Sequence, residues 1–293
     1  MNGGPILDND ASVKEHPRVK SIIWKPMPQI TASRGSGNIP RRLIFIYSTN
    51  LLRTKTPKVL FDNVKNTIKA YQRAWKNLKT ERNKDVEVKV DMYTDETCRA
   101  ILEKTAPSLV EHFENEEKGS YKADICRIAV LYLTGGYYFD VDMKVIEPYL
   151  VEAPSKNGQS ATHVQPTFIT AMDAGRDGYF QSFMATAPRH PILKQALVEM
   201  ENYYNNVNGV QDEIFDQNLK FGPMTLKMAH DAVIKQYQTT AVQSHRSSQS
   251  SSDATGLLLL QEDFLDSEEK QLFPSLQRQD GNGCCCNVVV HNQ

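Results

Sequence analysis

The sequence predicts an α/β fold with a mainly parallel sheet and helices on both of its faces. A short apolar run at residues 43–47 follows a proline, strand and helix periodicities alternate as β-α-β-α-β over residues 39–146, and a helical run ends at a double glycine. The 293 residues are enough for one large α/β domain or two smaller ones. We expect a flexible lead-in over residues 1–38 and a single domain over residues 39–293. A Ser/Gln-rich stretch at about residues 238–255 is expected to be a disordered insertion.

The first half of the pattern begins with a buried strand at residues 43–47. Thr56 and Pro57 have the types favoured at the N-cap and first position of a helix. After them, apolar residues recur at three- and four-residue steps, namely Phe61, Val64, Ile68, Tyr71, Trp75 and Leu78. This spacing predicts a surface helix with its lysines on the outer face. Valines and a methionine then alternate with charged residues over 85–95, which predicts a half-buried strand.

The next elements are a mixed helical stretch and then a clearer helix. We expect the mixed stretch over residues 96–116 and the clear helix over residues 120–136, with Ser120 as its cap and Gly135 as its left-handed stop. A strand at residues 137–146 follows directly. The later expected elements are a strand at 162–172, a helix at 190–204 that begins with Pro191, a helix within 221–237, and strands at 256–261 and 286–290.

Composition excludes several classes of protein. Lys and Arg number 34 against 35 Asp and Glu, so no overall field favours nucleic acid or an anionic membrane as partner. A basic run at residues 53–89 and an acidic run at 91–117 are interpreted as solvated helix faces, with a patch that attracts a phosphorylated ligand as the alternative. The five cysteines lack metal-site spacing, so we expect them to be reduced. No apolar run is long enough for a transmembrane segment.

Two aspartates end the apolar segment "LTGGYYFDVDMKV" at residues 133–145. In an extended chain, Asp140 and Asp142 share one face with Tyr138. The carboxyl end of a parallel strand is where open α/β sheets bind ligands, and paired carboxylates suit Mg²⁺ or Mn²⁺ together with phosphate oxygens. The alternative is that both aspartates end a strand in solvent, since this short motif is common by chance.

Asp124 and Arg127 lie three residues apart on the preceding helix, off its apolar stripe. They could form an ordinary ion pair in the first turns of that helix. An acid and a forked guanidinium also suit sugar hydroxyls and phosphate oxygens. Helix, glycine turn and strand bring these two residues into one neighbourhood with the two aspartates, which favours a site for a sugar linked to a diphosphate.

These residues belong to a segment that resembles the signature of a known family. The segment "KADICRIAVLYLTGGYYFDVDM" (122–143) is similar to the A-D-x-x-R-x-x-x-L-y-x-x-G-G-x-Y-x-D-x-D signature of family 32 glycosyltransferases. That DXD group includes Golgi α-mannosyltransferases and inositol-phosphoceramide mannosyltransferases. Weaker similarity extends to four other segments, "IPRRLIFIY", "YTD", "APRHPIL" and "FGPMTL". Phe45, Tyr47 and Phe221 depart from residues common in the family.

The resemblance implies a GT-A fold and retaining transfer of a mannosyl, glucosyl or galactosyl unit from a UDP- or GDP-linked sugar. The acceptor would be a glycan, glycolipid or glycoprotein. Members of the family are associated with the Golgi or ER, and the location of this chain stays open. Asp142 and Asp140 would hold Mn²⁺ or Mg²⁺. The implied donor-binding residues are Asp124, Arg127, Asp140, Tyr138, Gly136 and Tyr47. No nucleophile or general base is assigned.

Two other functions stay open at this stage. One is a non-catalytic relative that binds a nucleotide sugar or glycan. The other is a phosphohydrolase of the haloacid-dehalogenase type, which also places D-x-D after an apolar strand and uses the first aspartate as nucleophile. Those enzymes usually carry the motif on their first strand, with Thr or Val where this chain has Lys144.

Overall fold

The computed structural model describes residues 38–77, 88–145, 148–150, 167–172, 178–216, 221–244, 257–263, 275–279 and 285–289. The strands of this part are β1 (Arg42–Ile46), β2 (Lys89–Tyr93), β3 (Gly136–Phe139), β4 (Met143–Val145), β5 (Phe168–Met172), β6 (Tyr179–Thr186), β7 (Leu257–Asp263), β8 (Ser275–Gln279) and β9 (Cys285–Val289). The helices are α1 (Leu51–Thr54), α2 (Lys58–Asn77), α3 (Asp95–Thr105), α4 (Val110–Asn115), α5 (Gly119–Thr134), α6 (Pro191–Tyr204), α7 (Val210–Asp216) and α8 (Phe221–Ser244). The α/β class is therefore confirmed.

The strands form one sheet in the order β2-β1-β3-β6-β5-β7-β9-β8-β4. The β-α-β-α-β segment is parallel, as predicted, because β1 pairs in parallel with both β2 and β3. β6 then joins β3 in the antiparallel sense, with Phe139 opposite Phe183. Beyond it the sheet is mixed, since β5 is parallel to β7 but β7 and β8 are antiparallel to β9.

Helices cover both faces of this sheet. Successive residues of β1 alternate between two apolar clusters, with Ile44 in one and Phe45 in the other. The Ile44 cluster is built with α3, α5, α6 and α8, and the Phe45 cluster with α2. Tyr71 and Trp75 of α2 pack against each other and against Tyr137 of β3. The three- and four-residue spacing of apolar residues in α2 therefore corresponds to this buried aromatic face.

Several predicted boundaries are confirmed. Gly135 ends α5 with a positive φ of 59°, although its ψ of −179° is not that of the predicted left-handed helical stop, and α6 begins at Pro191. His190 caps α6 by accepting a hydrogen bond from the Ile192 amide. Ser120 is not a cap, because α5 already begins at Gly119 with Lys118 at the N-cap position. None of the described helices has the length and apolar character needed to span a bilayer.

Other features differ from expectation or were not predicted. The expectation of reduced cysteines is wrong for Cys98 and Cys126, which form a disulfide because α3 and α5 pack with these Cα atoms 5.4 Å apart. Strand β6 was not predicted because all eight of its residues are buried, so no polar alternation marks it. Helix α8 continues to Ser244, so the first seven residues of the expected insertion (238–244) are helical. The rest of that insertion and the lead-in over 1–37 lie outside the described residues.

Candidate functional site

The ends of five secondary-structure elements meet at the carboxyl edge of the parallel strands. β1 and β3 end here, and β6 begins here because it runs antiparallel to β3. Helix α5 begins at this edge, since its C-terminal end leads through Gly135 into the start of β3. The first turn of α8 also lies here, because Gly222 contacts Asp124 of α5. Side chains distant in sequence are thereby placed in one region of the sheet edge.

Arg127 is the centre of the site. It is buried, and its guanidinium contacts two carboxylates: Asp124 Oδ1 at 3.1 Å from Nη2 and Asp140 Oδ1 at 3.2 Å from Nη1. It also donates to two backbone carbonyls, from Nη1 to Gln181 at 2.9 Å and from Nε to Ala123 at 3.1 Å. The planar fork is therefore fixed by contacts from helix, strand and the residue after β3.

Tyr138 contacts both Arg127 and Asp140. Its ring centre lies 4.9 Å from the Arg127 guanidinium carbon, and its hydroxyl donates a hydrogen bond to Asp140 Oδ1. Burial raises the pKa of Tyr138 well above its ordinary value, so this hydroxyl stays a donor. Both contacts of the Asp140 carboxylate within the described ranges thus fall on Oδ1. The second oxygen, Oδ2, is the one that Asp140 can present to a ligand.

Several acidic groups act on the charge of Arg127. Burial opposes the charge of Arg127, but Asp140, Tyr138, Asp124 and Asp142 together raise the pKa of Arg127 above its ordinary value, so it is cationic. Carboxylates grouped in this way offer oxygen ligands of the kind that hard divalent ions prefer.

Asp142 lies in a turn rather than in an extended strand. β3 ends at Phe139, and the amide of Met143 donates to the carbonyl of Asp140 at 3.1 Å. The expectation that both aspartates alternate along one strand is wrong, because hydrogen bonds fix a turn there instead. The Asp140 amide donates to the Ser182 carbonyl at 2.9 Å, and Asn63 donates to the Val141 carbonyl at 3.4 Å. Asp142 is half-buried and close enough to Arg127 for its charge to affect that residue.

The donor set suits a hard divalent ion. Among the described residues there is no group of three or more His, Cys, Asp or Glu side chains placed to hold a metal. Mg²⁺ and Mn²⁺ need only one or two carboxylates when phosphate oxygens complete the coordination shell. Asp140 and Asp142 supply oxygen donors of the type that such an ion prefers, and they do not suit a soft metal.

Gly136 lies at the opposite end of β3 from this cluster, whereas Tyr47 lies at the carboxyl edge. Gly136 is at the amino end of β3, where a Cβ atom would lie 2.8 Å from the Arg42 carbonyl oxygen and where φ is 121°. A glycine is needed at this position because the backbone of β1 lies so close. Tyr47 follows β1 at the carboxyl edge, and its amide donates to the Tyr93 carbonyl at 3.1 Å. Their roles in donor binding stay predictions.

Gly222 is a site residue that the sequence marked only weakly, in "FGPMTL". A Cβ atom at this position would lie 2.3 Å from Cγ of Asp124 and 2.4 Å from its Oδ2. The Asp124 carboxylate therefore rests directly on the first turn of α8, where the helix dipole favours a negative charge. Only glycine leaves room for this contact.

Gln181 is a site residue that the sequence did not mark. Its carbonyl accepts the hydrogen bond from Arg127, and its side-chain Nε2 donates to the Gly222 carbonyl at 2.6 Å. Gln181 thereby links the guanidinium to the start of α8. Its Oε1 is buried without a hydrogen-bond partner among the described residues. A buried strand without polar alternation gave no signal for this role.

The sequence around the site matches a known protein family. The family described as "Glycosyltransferase sugar-binding region containing DXD motif" matches residues 13–161, which include the Asp124–Asp142 segment. A search of curated proteins gave no significant match.

Two solved structures are remotely similar. One is a "PaToxG Glycosyltransferase", with 16% identity, a TM-score of 0.44 and 76% of each chain covered. The other is a transferase with two cysteine-to-serine substitutions, with 13% identity, a TM-score of 0.29, and 61% of this chain and 87% of that chain covered. Neither likeness is close enough to carry an argument. The family match spans more than half of the 293 residues, and the chain therefore belongs to the glycosyltransferases with a DXD-containing sugar-binding region.

Proposed function

We propose that this chain transfers a hexosyl unit, either mannosyl, glucosyl or galactosyl, from a UDP- or GDP-linked sugar to a glycan or glycolipid. The observation that supports this most directly is the Asp124–Arg127–Asp140 array, in which Asp124 and Arg127 are buried, placed beside Asp142 at the carboxyl edge of the sheet. Ligands of open α/β sheets bind at this edge. The array lies inside the region that matches the family.

Each side chain has a role that follows from its contacts. Asp142 and Oδ2 of Asp140 would hold Mn²⁺ or Mg²⁺, which when bound neutralises the leaving diphosphate. Arg127 keeps the Asp140 carboxylate in one orientation through Oδ1. Asp124 and the buried Oε1 of Gln181 are acceptors suited to hydroxyl groups of the donor sugar. Fixed contacts of this kind hold the anomeric carbon in position for attack.

The proposed transfer retains the anomeric configuration. The bond between the anomeric carbon and the diphosphate oxygen breaks, and the nucleoside diphosphate leaves with the electron pair. The acceptor oxygen forms the new glycosidic bond on the same face, and its proton passes to the departing diphosphate. This leaving-group assistance needs no protein nucleophile.

A donor-panel hydrolysis assay tests the proposal. UDP- and GDP-linked glucose, galactose and mannose are incubated with the protein and Mn²⁺, with and without chelator, and the released sugar is measured. We expect one donor to be hydrolysed, and about a hundredfold or greater loss in Asp142→Asn, because an interaction with developing charge is removed. Asp62→Asn is the matched control, since Asp62 forms only an exposed helical ion pair with Lys58. Metal-dependent nucleotide binding without turnover would instead indicate a non-catalytic relative.

A further inference from the structure

An open cleft lies at the same edge of the sheet, where α4 leads into α5. It has a volume of about 300 Å³ and is lined by His112, Asn115, Glu116, Glu117, Lys118 and Tyr204. We refer to these six residues as the α4–α5 cleft. None of them belongs to the Asp124–Asp142 segment. The cleft is open to solvent, since Asn115, Glu117 and Lys118 are exposed.

Contacts within the cleft fix its walls. The rings of His112 and Tyr204 stack with centroids 4.9 Å apart and an interplanar angle of 16°. The Tyr204 hydroxyl donates to Glu116 Oε2 at 2.7 Å, while Glu116 Oε1 accepts from the Lys118 amide at 2.8 Å. The Lys118 ammonium lies 4.6 Å from the centre of the Tyr121 ring. These groups are therefore held in place before a ligand arrives, which lowers the entropic cost of binding.

A continuous set of aromatic contacts joins the cleft to the donor site. Tyr204 packs against Phe221 with ring centroids 5.5 Å apart, and Phe221 stacks on Tyr121 at 4.8 Å. Phe221 precedes Gly222, on which the Asp124 carboxylate rests. Lys118 and Asp124 are six positions apart (124 − 118) at the start of α5, which corresponds to about 9 Å along the helix axis.

We infer that the α4–α5 cleft binds the acceptor and that this acceptor is an uncharged oligosaccharide, an inference that rests on the proposed function. Carboxylate and amide oxygens accept hydrogen bonds from sugar hydroxyls, while Lys118 and Asn115 donate to sugar oxygens. The aromatic wall supplies a flat apolar surface with polar tips. Glu116 and Glu117 against Lys118 give a formal charge of −2 + 1 = −1, which disfavours an acceptor that carries phosphate.

The spacing also constrains the length of the acceptor. Lys118 in the cleft and Asp124 in the donor site are separated by more than one helical turn. We therefore expect the acceptor to be longer than a single sugar ring. An oligosaccharide can occupy the cleft with one unit and present the attacking hydroxyl with the next. Di- and trisaccharides are therefore better acceptors than methyl glycosides.

Transfer and hydrolysis measured in the same reaction test the inference. The probes are methyl glycosides and di- and trisaccharides of glucose, galactose and mannose, with the donor found by hydrolysis. In His112→Ala and Glu117→Gln, the ratio of transfer to hydrolysis falls by about tenfold or more, as expected when a stacking surface or hydrogen-bond acceptor is lost. Glu111→Gln is the control, because this exposed residue lies on α4 but does not line the cleft.

The outcomes separate this inference from the proposed function. An unchanged ratio in both cleft variants, or equal use of methyl glycosides and trisaccharides, overturns the acceptor site. An equal fall in transfer and hydrolysis also overturns it, because the residues are then only structural. If no donor is turned over, saturation-transfer NMR measures the binding of the same trisaccharides instead. Binding that His112→Ala abolishes supports a glycan site in a non-catalytic protein, and binding unaffected by that change refutes it.

Discussion

Gly222→Ala is the substitution for which the structure gives the sharpest expectation. The added methyl group would lie 2.3 Å from Cγ of Asp124 and 2.6 Å from its Oδ1, so either the carboxylate or the first turn of α8 must shift. Oδ1 is also the atom that contacts Arg127 at 3.1 Å. Overpacking of this kind costs about 1–3 kcal/mol in unfolding free energy. If the same cost fell on donor binding, kcat/KM for hydrolysis would fall by roughly 5- to 150-fold.

Gly119→Ala provides the matched control. Gly119 is also the first or second residue of a helix at this edge, but a Cβ atom there meets nothing within 4 Å. Replacing such a glycine by alanine stabilises a helix by about 0.4–1 kcal/mol when its backbone conformation is compatible. Urea denaturation and donor hydrolysis are measured for both variants. Equal stability and equal kcat/KM in the two variants would refute the placement of Asp124 against α8.

Three further predictions concern the stability of the folded chain. Arg127→Met leaves its carboxylate partners unpaired and is expected to lower the unfolding free energy by about 3–5 kcal/mol in urea; a loss below 1 kcal/mol, on the order of an exposed ion pair, would contradict the buried network. Because Cys98 and Cys126 are 28 residues apart, reduction with dithiothreitol should lower the unfolding free energy by about 3–4 kcal/mol. The Cys98→Ser variant should then be insensitive to dithiothreitol, and an equal response in both would exclude this disulfide. Burial and the nearby His230 lower the pKa of His190 from 6.5 to about 3. As pH falls, His190 is therefore protonated at a higher pH in the unfolded chain than in the folded chain. Stability is therefore fully present above pH 6.5 and is lost as pH falls towards 3, by up to about 1.4 kcal/mol per pH unit, and His190→Asn should flatten that profile.

Much of the arrangement of the side chains in the candidate site could be predicted because it is local. Asp124, Arg127, Tyr138 and Asp140 lie in one helix–turn–strand segment, whose geometry follows from helical periodicity and from Gly135. The ion pair between Asp124 and Arg127 is an i, i+3 contact that the helix alone imposes. The turn at Asp142 was not predicted, because it depends on hydrogen bonds that the chain after β3 donates to β6 and accepts from α2.

The parts that could not be predicted all involve contacts between distant segments. Gln181 and Gly222 join the site only because β6 and α8 pack against α5. The disulfide depends on which faces of α3 and α5 meet, and spacing of cysteines along the chain does not specify this. The aromatic contacts between Tyr204 and Phe221 likewise require the ends of α6 and α8 to reach the same edge of the sheet.

In the proposed site, the two aspartates after β3 hold a divalent ion against a diphosphate. An anomalous-scattering map from crystals soaked with Mn²⁺ and UDP or GDP tests this most directly. We expect a manganese peak bound by Asp142 and by Oδ2 of Asp140, with the diphosphate oxygens completing its coordination. A manganese peak and nucleotide elsewhere, with both carboxylates facing solvent, would contradict it.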